Sequence, residues 1–306
     1  MGDRLPSPPW WVPIARAVVR RMPRGRYAVL SRWRPRAAPF AGRLAHEMGG
    51  ARFVCDLGDA IAREVWLTGY YEPPVTRAIW QLLRPGGTLV DAGANWGYFS
   101  LLGAACVGGE GRVLALEPDP RHFDRLQFNA SMNGFANVTA LPVAAGAQEG
   151  VAVLTGYADG ADNRGVSRIV ERAEGTHRYE VRCSTIDALT SSSARVDVVK
   201  IDVEGGEADV LAGMRAGLAS ARYAAVVLEL HPDLLRARGV DPRECIGPLA
   251  AHGYRGWAID LSPRAYRDAT STHAPLERVL RPVDTWHDTP WPHLLWLAPG
   301  EPAPSC

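Results

Sequence analysis

VDAGANWGYFS, Val90 to Ser100, begins like the end of a buried strand and runs directly into a glycine turn. Many strand–glycine–helix turns hold phosphate, so the first question is whether this one does. A dinucleotide fingerprint needs G-x-G-x-x-G, because backbone must approach a pyrophosphate closely. Here Asn95 stands where the second glycine belongs. A P-loop needs Gly-Lys-Ser/Thr after its glycines, and Tyr98 and Phe99 occupy those places. Both phosphate readings fail on the residues themselves.

Asp91, at the end of the strand, points elsewhere. A carboxylate is a poor neighbour for a polyphosphate and a good one for a cation. S-adenosylmethionine carries an ammonium and a sulfonium, and its carboxylate suits backbone amides at a helix N-terminus. The next strand ends in LALEPDPRHFDRL. Asp119 followed by Pro120 is a good N-cap and first-turn pair, so the helix is expected to start without help from Glu117. Glu117 is then left at a strand end, where an acid can accept both ribose hydroxyls of an adenosyl group. The plainer alternative is a solvated charge in a loop.

Working outward, short apolar runs alternate with helical patterns: TLVDAG (88–93), RVLALE (112–117), VTALPV (138–143), VDVVKIDVE (196–204) and AAVVLEL (224–230). Strands alternating with helices imply a parallel sheet covered on both faces. YRGWAID (254–260) and HLLWLAP (293–299) are expected to form a terminal antiparallel pair, with no convincing helix between them. Residues 151–187 interrupt the pattern. VAVL and YEVRC resemble strands, and the polar loop GYADGADNRGVSR (156–168) between them is expected to act as a flap or lid.

Residues 1–50 hold ten arginines against Asp3 and Glu47, a balance of +8 in a chain of net charge +1. They are expected to form a basic arm with a short helix over Ile14–Met22. The arm packs on the main domain, on a homodimer partner, or on an acidic or membrane surface. Residues 51–306 form the main domain. The whole-chain charge makes no case for nucleic acid. No apolar run approaches the ~18 residues of a membrane span. The five cysteines never form a C-x-x-C pair, which favours a reducing compartment, and a cytoplasmic location is expected.

The segments YYEPP (70–74), LRPGGTLVDAGANWGYFSL, LALEPDP, TIDAL, VDVVKIDVEGGEADVLAGM and LELHP, taken in this order, resemble the FkbM family of methyltransferases. KIDVEGxE is the most specific of them. The resemblance covers about Val54 to Pro299. Trp96 and Gly206 depart mildly from the family pattern, where a small aliphatic residue and alanine are usual. The resemblance implies an α/β, class I methyltransferase Rossmann-like fold. Its sheet has seven mostly parallel strands in the order 3-2-1-4-5-7-6, the last antiparallel, with helices on both faces. It also implies methyl transfer from S-adenosylmethionine to the hydroxyl of a sugar or small natural product. The expected cofactor contacts are Asp91, Gly93, Ala94, Asn95 and Gly97 in the turn, Glu117, Pro118 and Asp119 at the next strand end, and Ala144 and Asp202. The expected acceptor contacts are Tyr71, Glu72, Asn163 and Glu229.

The chemistry is expected at the fourth strand. Spacing of two places Lys200, Asp202 and Glu204 on one face of it, and charges there are costly unless paired or used. Lys200 is the single lysine among 34 basic side chains. Arginine fills every other basic position, so this site wants a compact ammonium or a group that can deprotonate. The alternative is a structural lysine–carboxylate bridge. His231, after the fifth strand, has the pKa range of a general base, or is a histidine hydrogen-bonded in a turn. Asp202 and Glu204 could hold a divalent cation, but no further carboxylate stands at a suitable spacing, so no metal is expected. Two other readings stay open: N-methylation of an amino sugar or amine, and a binding module without turnover. A nicotinamide dehydrogenase is the most distant, because the pyrophosphate glycines are missing.

Overall fold

The apolar runs pack on two sides of one sheet because their alternate residues belong to different cores. Leu89, Val113, Val198, Val227 and Leu295 enter one core, while Val90, Leu114, Val199, Val226 and Leu294 enter the other. That division is what period-two strands buried on both faces require. The computed structural model describes residues 6–22, 32–33, 35, 37–45, 49–155, 168–169, 178–270, 275–284 and 290–304.

The described chain starts with α1 (Trp11–Arg21), β1 (Phe40–Arg43), β2 (Arg52–Cys55), α2 (Ala60–Thr68) and α3 (Pro73–Leu82). The βα units follow: β3 (Thr88–Ala92), α4 (Tyr98–Val107), β4 (Arg112–Leu116), α5 (Pro120–Met132) and β5 (Val138–Leu141). Next come β6 (Val143–Ala145), β7 (Gly150–Thr155), β8 (Arg168–Ile169), β9 (Arg178–Ser184), α6 (Ile186–Leu189) and β10 (Val196–Ile201). The chain closes with α7 (Glu207–Ala212), α8 (Arg215–Ala219), β11 (Tyr223–Glu229), α9 (Pro232–Ala237), α10 (Pro242–Ala251), β12 (Arg255–Ile259), α11 (Pro263–Ala269), β13 (Leu280–Pro282) and β14 (His293–Leu297).

The main sheet runs β5-β4-β3-β10-β11-β14-β12-β13. Its first seven strands take the expected 3-2-1-4-5-7-6 order, and β14 is antiparallel to both neighbours. A short eighth strand, β13, adds to the edge of β12. The terminal pair is therefore present, but the stretch between its strands does contain a helix. Ser262 caps α11 by accepting from the Ala265 amide at 3.3 Å, and Pro263 occupies the first turn. The Ser–Pro start signal was in the sequence and the proline count obscured it.

β7 and β9 pair antiparallel and, with β6 and β8, form a second sheet of four strands. Residues 156–167, which include Asn163 and nearly all of the expected lid, lie outside the described residues. In the arm, α1 begins at Trp11, earlier than the expected Ile14, because Pro13 is tolerated in a first turn. It packs on α2. Arg16 lies 4.4 Å from the Trp66 ring centre, and Arg20 Nε donates to the Thr68 carbonyl at 2.9 Å. β1 and β2 form a hairpin that joins both sides of position 50, and Phe40 is fully buried in it. Among the described residues no helix is long and apolar enough to cross a membrane.

Candidate functional site

The carboxyl ends of β3, β4, β10 and β11 open onto a cleft of about 530 Å³. Crevices at this edge are where parallel sheets bind ligands. Gly93, Asn95, Glu117, Pro118 and Ala144 line one part of it. Tyr71, Glu72, Asp202, Glu204, Glu229 and His231 line another. The expected cofactor and acceptor residues are thus brought to one cavity, with exceptions. Asp91, Ala94, Gly97, Asp119 and Lys200 are not among its lining residues.

Gly93 is required by space as well as by conformation. Its φ is +81°, and a Cβ there would stand 1.8 Å from the Asp202 carbonyl oxygen. The turn after β3 therefore lies hard against the chain leaving β10. The turn amides are not free to receive a ligand carboxylate as expected. Gly93 N–H and Ala94 N–H both donate to the Leu116 carbonyl, at 3.0 and 2.9 Å. Gly97 N–H donates to Ala94, and Trp96 N–H to Asn95 Oδ1. Gly97 caps α4 and packs on Leu126. Trp96, one departure from the family pattern, fills a gap against Phe53 of β2, with ring centres 6.5 Å apart.

Glu117 is more deeply built in than its sequence context suggests. Oε2 accepts from Asn95 N–H at 2.7 Å and Oε1 from Asp119 N–H at 2.8 Å. It therefore does assist the entry to α5, contrary to expectation. Two amides fix the carboxylate at the cleft wall. Asp119 is spent on the helix: Oδ1 accepts from Arg121 N–H at 2.9 Å and Oδ2 from Arg121 Nη2 at 2.9 Å.

Lys200 and Asp91 are register partners on β10 and β3. Both point to the face covered by α4, where Ser100 Oγ donates to Asp91 Oδ2 at 2.6 Å and the Phe99 ring centre lies 4.7 Å from Lys200 Nζ. Lys200 Nζ donates to Asp202 Oδ2 at 3.0 Å. Burial alone would lower this ammonium, but Asp202, Asp91 and Glu72 raise it above the ordinary lysine value. Of the two properties that set lysine apart here, these carboxylates favour the compact ammonium over easy deprotonation. Burial raises the Asp91 carboxyl despite Lys200.

The expected row of three charges breaks after Asp202. β10 ends at Ile201, and Glu204 sits in the following turn with left-handed backbone (φ 51°). From there its Oε2 reaches within 3.3 Å of His231 Nε2. Burial pushes the Glu204 carboxyl up to about 7, with Asp202, Glu229 and Glu207 adding to the rise and His231 opposing it. His231 Nδ1 is 2.7 Å from Glu207 Oε1. Burial lowers the imidazole, but the Glu207 hydrogen bond and Asp202, Glu204 and Glu229 raise it to about 9. The carboxylates around His231 thus favour its charged form, which fits an ion-pairing role better than the role of base expected for it.

Sequence reasoning missed His293, which lies opposite Glu229 in the β11–β14 register. Its Nε2 is 3.2 Å from Glu229 Oε2 and 3.4 Å from Glu72 Oε1. An antiparallel last strand begins at the carboxyl edge of the sheet, so the first residue of HLLWLAP was the available signal. A further carboxylate does stand beside Asp202: Glu229, from the end of β11. The spacing argument against a metal therefore does not hold. Tyr266 and Trp291, from the tail, complete the far wall.

The family model described as Methyltransferase FkbM domain matches residues 91–255. A hexuronic acid methyltransferase, AglP of Haloferax volcanii, is 30% identical over 203 residues, covering 63% of this chain and 73% of that protein. Methyltransferase 1 of Beauveria bassiana is 29% identical over 144 residues, 41% of this chain and 57% of that protein. Among solved structures, the FkbM methyltransferase of Methylobacillus flagellatus aligns with a TM-score of 0.41 at 16% identity, over 83% of this chain and 56% of that one.

Proposed function

The chain belongs to the FkbM family of methyltransferases, and from that premise we propose that it methylates a hydroxyl group of a sugar or small natural product. S-adenosylmethionine is the methyl donor. The observation that carries the reading is Glu117. Its carboxylate is held at the cleft wall by two backbone amides, beside the close approach of Gly93 to Asp202. In this reading Glu117 takes the ribose hydroxyls, and the acceptor lies toward Tyr71, Glu72 and Glu229. Methyl transfer needs the acceptor oxygen in line with the sulfonium methyl and a group to take its proton. Glu204, pushed up to about 7, is the proposed base. The charged His231 and the Lys200–Asp202 pair hold the site in shape.

The cleft wall carries Glu64, Glu72, Glu117, Asp202, Glu204, Glu229 and Asp233 against His122 and His231, with no arginine or lysine among the described lining residues, so its balance is acidic. Such a wall repels a carboxylated acceptor. A neutral or cationic sugar is therefore preferred over the hexuronic acid for which the archaeal relative is named. The same acidity supports the second reading, N-methylation of an amino sugar. We place the chain in the cytoplasm, supported by Cys55, Cys106, Cys183 and Cys245 all being free. Homodimerisation through α1 is also proposed. Trp10, Ile14 and Val18 recur every four residues on its outer side and are exposed.

Calorimetry tests the cofactor site. S-adenosylhomocysteine binding is expected, NAD binding is not, and Glu117→Ala should cost about 1–3 kcal/mol of affinity. Unchanged affinity in that variant overturns the ribose assignment. Isotopically labelled methyl donor offered with panels of neutral, amino and carboxylated sugars then reads acceptor class and O- against N-transfer.

A further inference from the structure

We propose that Glu72, Glu229 and His293 form a divalent-cation site in the wall of the cleft. One ligand atom from each lies within 4.8 Å of the others. Glu72 precedes α3 in left-handed conformation (φ 43°), Glu229 ends β11, and His293 begins β14 directly opposite it. The imidazole is set up as a ligand. Its Nδ1 stands 3.1 Å from the Trp291 carbonyl. A carbonyl only accepts, so Nδ1 carries a proton and Nε2 is turned to the carboxylates. A backbone carbonyl fixing the far ring nitrogen is the usual support for a metal-bound histidine.

Nε2 faces both Glu72 Oε1, at 3.4 Å, and Glu229 Oε2, at 3.2 Å, the position from which it would turn to a bound ion. Glu72 Oε2 has no hydrogen bond. The two side chains are nine-tenths or more buried, at 9% and 4% exposure. Burying two carboxylates around one imidazole is costly, and a divalent cation would offset that cost further than the imidazole does. A second trio, Asp202, Glu229 and His231, is equally close. There, however, Lys200 already pairs with Asp202 at 3.0 Å, an ammonium that an ion would have to displace, and this lysine is what separates the two trios, since each histidine faces carboxylates. Two carboxylates and one imidazole make a mixed oxygen–nitrogen set, suited to Mn²⁺, Fe²⁺ or Zn²⁺ rather than to Ca²⁺. The site stands on these side chains and does not depend on the methyl-transfer reading.

The test is titration of the chelator-treated full chain with Mn²⁺, followed by the electron paramagnetic resonance of the free ion. One site per chain is expected. Its dissociation constant should rise at least roughly tenfold in Glu72→Gln and in His293→Gln, and hold in His231→Gln. S-adenosylhomocysteine affinity of the same samples, by calorimetry, separates loss of this site from loss of the fold or of the cofactor reading. If His293→Gln fails to fold, Glu72→Gln and the wild-type titration decide. Absence of Mn²⁺ binding to the wild type overturns the site, as does binding that His231→Gln abolishes and Glu72→Gln spares.

Discussion

At the scale of the residue, Glu204 and Lys200 divide the electrostatic work. A carboxyl raised to about 7 binds its proton more tightly folded than unfolded, so this group makes the protein less stable as pH rises from about 4.5 to 7. The same shift sets its use as a base, which requires the ionised form. The activity of the wild type is therefore expected to rise by up to about tenfold per pH unit below pH ~7 and level off above it, and removal of the base should lower it by about 10²–10⁴-fold. Glu204→Gln should remove that limb, and stability should lose this group's share of its pH dependence in the same window. An unaltered pH–rate profile in the variant overturns the assignment. Lys200 is buried between Asp202 and the Phe99 ring and does not line the cleft. Lys200→Arg is expected to overpack this space and lose about 1–3 kcal/mol of stability, with turnover falling alongside. Wild-type stability in denaturant with a hundredfold lower turnover would show that the ammonium acts directly on the acceptor. The lone lysine was legible in the sequence. That it stays charged was not, because its charge state depends on Asp91 and Glu72, which are brought beside it from other segments.

At the scale of the element, the decisive contact joins the turn after β3 to the chain leaving β10. Gly93→Ala places a Cβ 1.8 Å from the Asp202 carbonyl in a backbone with φ of +81°. The strand ends must part, and a loss of about 2–4 kcal/mol together with loss of S-adenosylhomocysteine binding is expected. Gly206→Ala is the control, since its Cβ would meet Val203 at 3.4 Å in ordinary contact. Equal stability and affinity in the two variants would refute the close-approach argument. Calorimetric melting and titration of both proteins read the difference. The motif spacing announced a glycine turn at this place. Only the register of β3 against β10 identifies what the missing side chain leaves room for.

At the scale of the whole molecule, α1 covers α2 with its arginines and turns Trp10, Ile14 and Val18 outward. If these residues join two copies, sedimentation velocity should find a dimer that Ile14→Glu and Val18→Glu together convert to a monomer of unchanged melting temperature. A monomeric wild type at micromolar concentration removes the proposal. The sheet order needs no such test to be understood. Alternating βα units with right-handed crossovers leave few arrangements, and the resemblance narrowed them to one.

The sequence by itself determined the parallel sheet, the glycine turn, the acid at the second strand end and the family. Each of these is encoded locally, in period-two burial, in a turn that glycine alone can make, or in a contiguous motif such as KIDVEGGE. Tertiary structure alone decided which ionisable groups share a field. Glu72, Glu204, Glu229, His231 and His293 come from four separate stretches, and their proton affinities are set by Coulomb interactions that act through space and strengthen with burial. That is why the carboxylates around His231 favour its charged form while burial raises Glu204 to about 7. It is also why His293, unremarked in the chain, stands at the centre of the cluster: an antiparallel last strand sets its first residue opposite Glu229.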